Sequence, residues 1–190
     1  VMDATQKVVF NTVILYLKIL VTMAVSLVSV PLVLKTLGTS DYGLYNLVAG
    51  IITMLAFLNN SMLVSSQRYM SVAMGEGKVD RINSIYNTSF ILHLSLAILI
   101  VLGLELLGVP SIEKLNIDSN RVTVAQIIFQ FLIISTFSRI LSVPFDAIMN
   151  AHEDMLPFSI IEFIDSILML IVAFTLRFVL IDKLVFYGVV

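Results

Sequence analysis

Cysteine and tryptophan are missing from the 190 residues, proline occurs four times, and only 13% of the side chains are charged, with a formal net charge of -2. Without cysteine there is neither a disulfide scaffold nor a thiolate metal site. Eleven Lys and Arg against thirteen Asp and Glu leave no basic excess for a nucleic-acid backbone, so no nucleic-acid partner is expected. A soluble domain carries about a quarter charged residues, roughly twice the share found here. What fills the gap is apolar: 59% of the residues are hydrophobic and the mean hydropathy is +1.04. Lipid is therefore the expected solvent for most of the chain.

The decisive quantity is the length of the stretches between charges, because about 20 apolar residues cross a bilayer core about 30 Å thick. Tyr42 to Gln67 contains no Asp, Glu, Lys or Arg, roughly 26 residues or 39 Å of helix. Ile82 to Leu104 is a second such run. Val8 to Leu34 is apolar apart from Asn11 and Lys18, Val122 to Ala151 is interrupted by Arg139 and Asp146, and Met155 to Ile181 by Glu162, Asp165 and Arg177. The reading is an all-α, polytopic transmembrane helix bundle with spans near 8–34, 42–74, 82–107, 122–151 and 155–181. A sixth run opens near 184, after Asp182 and Lys183, so residues 1–190 read as one lobe of a larger polytopic protein.

The connections carry turn chemistry. KTLGTSDYG, from Lys35 to Gly43, has two glycines and offers Ser40 and Asp41 as helix caps. GEGKVDRIN, from Gly75 to Asn83, reads as a charged loop. In Gly108 to Arg121 the spacing of Ile112, Leu115 and Ile117 fits a short interfacial helix. In NAHEDMLP, Pro157 suits the first turn of the next helix. Lys7, Lys78 and Arg81 fall on one side and Lys35, Lys114, Arg121 and Lys183 on the other, so the positive charges do not decide the orientation.

Function is expected among the polar groups inside the spans, since an ionisable residue at the bilayer centre costs about 2.5–3.5 kcal/mol and seeks water, a partner or the bundle interior. Asn11, Lys18, Thr22 and Ser29 share one helical face, which should meet a neighbour or a cavity; Lys18 can also snorkel toward an interface. Ser61, Ser65 and Arg68 share another face. Small hydroxyls there serve as helix-helix glue, whereas Arg68 presents five donors in a fork that matches phosphate oxygens, or anchors its helix at an interface. Ser135, Arg139, Ser142, Asp146 and Asn150 form a third stripe, with Pro144 expected to kink the helix between the charges. Arg139 and Asp146 stand roughly 10 Å apart along the axis, too far for a direct pair. Glu162 and Asp165 are candidate partners for Arg139, one pairing and the other titrating; a static ion-pair network that fixes helix register is the competing reading. His93 reads as a satisfied core histidine, and Glu105 has no assigned role.

Enzyme chemistry finds little support. There is no His/Cys/Asp/Glu cluster at metal-ligand spacing, no glycine-rich phosphate loop and no GxSxG. No cofactor or metal is expected.

The first half, and above all LKTLGTSDYGLYNLV at Leu34 to Val48 and SSQRYMS ending at Ser71, resembles the bacterial O-antigen and exopolysaccharide flippases, of the superfamily that also contains multidrug and toxin extruders. RILSVPFDAIMNAHEDM extends the likeness more loosely. The resemblance implies twelve to fourteen helices in two lobes around a central cavity, a cytoplasmic amino terminus and residence in the bacterial inner membrane. It implies transfer of a polyprenyl-pyrophosphate-linked oligosaccharide between leaflets, with a carboxy-terminal lobe of the same protein as partner. On that view Lys18, Arg68 and Arg139 hold the anionic substrate, and Asp146, Glu162 and Asp165 balance charge or couple transport to an ion. The alternatives are a multidrug or cation antiporter of the same superfamily, which would want a titratable acid early in the bundle, and a non-transporting scaffold of envelope assembly.

Overall fold

In hydrocarbon every backbone donor and acceptor must be satisfied within its own segment, which leaves the helix as the form open to such apolar runs. A computed structural model describes residues 4–153 and 155–189, and among these there is no strand. The helices are α1 (Ala4–Thr53), α2 (Ala56–Gly75), α3 (Val79–Gly103), α4 (Val109–Ile112), α5 (Val122–Ala151), α6 (Met155–Thr175) and α7 (Lys183–Val189), with a π turn, Leu104–Gly108, joining α3 to α4.

Four stretches among the described residues are long and apolar enough to cross a membrane: Gln6–Gly75, Val79–Ile112, Val122–Ala151 and Met155–Thr175. Five were expected, and the difference lies in the first, which runs 70 residues. As a straight rod it would reach roughly 105 Å, over three times the thickness of a bilayer core. Gly38 prevents that. Its φ of 81° and ψ of 167° lie in a region essentially reserved for glycine, so the chain turns at one residue while both flanks stay helical. Ser40 and Asp41 thus fall in the first turn of the arm beyond the bend, and the Asp41 carboxylate is taken up by Arg121.

The two arms of α1 run in opposite directions. In the first, Lys18 meets Glu162 and Thr22 meets Ser166, so this arm and α6 are parallel. Beyond Gly38, Leu44 and Val48 pack with Ala125, Ile128 and Phe129 at the start of α5. Farther on, Ser66 of α2 meets Ser89 of α3, whose Tyr86 and Phe90 pack against Phe145 near the end of α5. From Gly38 onward the chain therefore travels with α5, opposite to α6.

The centre of the bundle is α5. Of its most apolar stretch 33% is buried, against 6–11% for the other three candidates. Its buried positions, among them Ala125, Phe129, Ile133, Thr136, Ile140, Val143 and Ala147, make one stripe at helical spacing. Gly108 permits the close approach of the π turn, since a Cβ there would sit 2.5 Å from the Phe129 ring. The first arm packs with α6 as a second layer, sharing Val33, Ala173 and Leu176.

Several local expectations change. The charged loop after Gly75 narrows to a turn at 76–78, with Gly77 at a φ of 68°. The interfacial helix stops at Ile112, which is fully buried, leaving Leu115 and Ile117 in irregular chain: burial of one isoleucine decides over the apolar spacing. α6 ends at Thr175, not 181, and Phe178, Leu180 and Ile181 are exposed beyond it. α5 continues through Pro144, which is buried, as one helix.

Candidate functional site

The polar stripe of the first arm faces α6. Asn11 donates to the Glu153 carbonyl at 2.7 Å, and the Lys18 ammonium lies 2.5 Å from the Glu162 carboxylate and 4.8 Å from the centre of the Phe158 ring. Lys18 is 18% exposed and Glu162 38%, so the pair is partly withdrawn from solvent. The parallel register that pairs Lys18 with Glu162 also sets Thr22 against Ser166, 3.5 Å apart.

This corrects the expected pairing. Glu162 belongs to Lys18, and Arg139 forms no close ion pair with a described residue. Asp146 accepts a hydrogen bond from Ser142 at 3.1 Å and lies within electrostatic reach of both Arg139 and Glu162. Lys18, Glu162, Asp146 and Arg139 therefore form one extended constellation across α1, α6 and α5. The stripe Ser135, Arg139, Ser142, Asp146, Asn150 is exposed or half-buried along the edge of the buried face of α5. Asp165 is exposed on α6 and Arg68 on α2, and neither makes an ion pair with a described residue. The fold brings Lys18, Glu162, Asp146 and Arg139 into one field and leaves Arg68 and Asp165 outside these contacts.

His93, 3% exposed, departs from the fully satisfied reading. Its Nδ1 donates to the Ser89 carbonyl at 2.6 Å, while Nε2 is buried without a partner among the described residues. Since a carbonyl can only accept, Nδ1 carries the proton of this bond. Ser65, Ser66, Ser84, Thr88 and Ser89 line a hollow of about 360 Å³ beside it, between α2 and α3.

One charged knot was not foreseen. Arg121, just ahead of α5, reaches Asp41 in the second arm at 2.7 Å and also bonds Asp182. Asp182 in turn accepts from the Leu184 amide at 2.9 Å and the Val185 amide at 3.3 Å, capping α7. Burial draws the Asp182 carboxyl upward, but the Val185 amide, Arg121 and the Leu184 amide outweigh it and hold the group below the usual aspartate value. The partners lie 61 and 80 residues from Arg121, so no local spacing announces them. Across the bundle, Lys78 and Arg81 hold the exposed Glu76 carboxyl below its usual range in the same manner.

Comparison with known proteins gives one match. No curated protein and no solved structure matches the chain. A family model described as MatE covers residues 14–175, from within the first arm of α1 to the last residue of α6. With most of its length matched, and with its apolar helices, the chain belongs to the MatE family, multi-pass membrane transporters of the MOP exporter superfamily.

Proposed function

We propose that this chain is the amino-terminal lobe of a flippase that moves a polyprenyl-pyrophosphate-linked oligosaccharide across the bacterial inner membrane. One observation carries the reading: Arg68 and Arg139 are guanidinium groups of candidate spanning helices that form no close ion pair with a described residue, Asp146 reaching Arg139 only through its longer-range field. A fixed charge in such a helix needs water or a counter-ion, and the planar fork of arginine suits phosphate oxygens. An anionic passenger supplies what the helices lack. The likeness of LKTLGTSDYGLYNLV and SSQRYMS to the polysaccharide branch, and the absence of any acid between Asp3 and Asp41, add support.

The chain crosses the bilayer five times in this reading, the arms of α1 counting separately, with the amino terminus in the cytoplasm and α7 opening a sixth crossing. Lipid-soluble polyprenyl stays among the acyl chains while the pyrophosphate and sugars pass through a wet cleft, because polar groups in hydrocarbon without partners are prohibitively costly. Arg68 and Arg139 hold the diphosphate. Lys18 joins them when the diphosphate displaces Glu162, and Glu162, Asp146 and Asp165 then balance charge or bind the coupling ion. A carboxy-terminal lobe closes the cleft, and rocking of the two lobes exposes it alternately.

The test uses the full-length protein in a strain lacking its own copy. Arg68→Ala and Arg139→Ala each reduce surface glycan at least tenfold, about 1.4 kcal/mol of binding, with lipid-linked glycan accumulating on the inner leaflet. Undiminished display in both variants defeats the assignment. The nearness of Asp146 to Glu162 also favours a cation-coupled drug antiporter; in that case glycan display is unaffected and Glu162→Gln abolishes gradient-driven efflux.

A further inference from the structure

Lys35 at the end of the first arm, Arg177 just beyond α6 and Lys183 at the start of α7 come together around a hollow of about 290 Å³, completed by Leu32 and Thr36. None of the three cations makes an ion pair with a described residue. Asp182, the acid next to Lys183, is engaged by Arg121 and by two amides of α7. Thr36 donates its hydroxyl proton to the Leu32 carbonyl at 2.8 Å, so the donors facing the hollow are those of the two ammonium groups and the guanidinium. At about 30 Å³ per water the space holds roughly ten waters, ample for one tetrahedral anion with part of its hydration.

Single Lys and Arg residues at helix ends are ordinary interfacial anchors. Three from separate elements converging on one hollow, uncompensated, make a concentrated positive field at the depth where helices leave the hydrocarbon. Basic hollows between membrane helices suit phosphate headgroups. The geometry points to a binding site for a phosphate-ester anion at this end of the bundle, separate from Lys18, Arg68 and Arg139 and independent of the flippase reading. The phosphate comes from an anionic phospholipid headgroup or from a soluble phosphate.

The experiment takes the full-length protein in detergent and measures retention of phosphatidylglycerol against phosphatidylcholine by native mass spectrometry, with melting temperature alongside. Phosphatidylglycerol is retained preferentially, and Lys35→Gln, Arg177→Gln and Lys183→Gln each weaken retention about fivefold. Lys35→Arg and Lys183→Arg, which keep the charge, retain it. Lys114→Gln, an exposed cation at the same end but outside the hollow, changes little. Competition by millimolar inorganic pyrophosphate assigns the site to soluble phosphates, and its failure assigns the site to the lipid headgroup. Undiminished retention in the triple glutamine variant, with an unchanged melting temperature, overturns the proposal, as does a loss in Lys114→Gln equal to that in Lys183→Gln.

Discussion

Lys18 and Glu162 illustrate how a charge becomes tolerable in a lipid-facing bundle. Removing one partner strands the other, while removing both removes the problem. The pair is only partly buried, which reduces the penalty below that of a fully buried one. Glu162→Gln therefore lowers stability by about 1–2 kcal/mol, and Lys18→Met/Glu162→Met recovers most of the loss. Melting in detergent decides the matter: strictly additive single effects would mean that the two side chains are not coupled. Asp182 carries the clearest pH dependence. Its carboxyl is held below the usual 3.8, so its contribution is complete above that pH and is lost as the pH falls through the lower folded value. Protection of the Leu184 and Val185 amides against exchange, taken relative to their intrinsic rates, falls over that acid range in the native chain. In Asp182→Asn, whose side-chain oxygen still caps but does not titrate, that acid dependence disappears, and in Asp182→Ala protection is low at every pH.

The elements were readable to different degrees, and the reasons are physical. Apolar length placed α3, α5 and α6 to within a few residues at most of their ends, because hydrocarbon leaves few alternatives to a helix. The contrast between a loop and a one-residue bend was not available from KTLGTSDYG, since a lone glycine at a φ of 81° and a glycine in a longer turn look alike in sequence. The polar stripes of α1 and α5 were legible from helical spacing. Their partners were not: nothing in the order of residues distinguishes Lys18 from Arg139 as the neighbour of Glu162, because that choice follows from the parallel packing of α1 on α6. The Arg121 knot was invisible for the same reason. Gly38→Ala forces a side chain into a backbone region that costs of order 1–3 kcal/mol, although open space surrounds the new methyl. Gly50→Ala, also in open space but without the unusual backbone, is neutral or stabilising by up to about 1 kcal/mol. Equal losses at the two positions would show that Gly38 is not a backbone constraint.

At the scale of the whole molecule, the five crossings proposed above would put Lys7 and Lys78 on one face of the membrane and Ser40 and Lys114 on the other. The chain has no cysteine, so single cysteines at these positions report sidedness without background. An impermeant maleimide added to intact spheroplasts labels Ser40→Cys and Lys114→Cys, and reaches Lys7→Cys and Lys78→Cys only after permeabilisation. Labelling of Ser40→Cys and Lys78→Cys from the same side would show that the arms of α1 do not cross separately.

The register of the first arm against α6 also has a bearing on biosynthesis. Thr22 and Ser166 are 144 residues apart, and at about 5–20 residues per second a ribosome needs roughly 7–30 s to bridge such an interval. For all that time the newborn first helix holds an ammonium group whose counter-charge has yet to be translated. The insertion machinery, or the snorkelling reach of lysine itself, must shelter Lys18 until α6 emerges, which makes the order of synthesis part of how this bundle assembles.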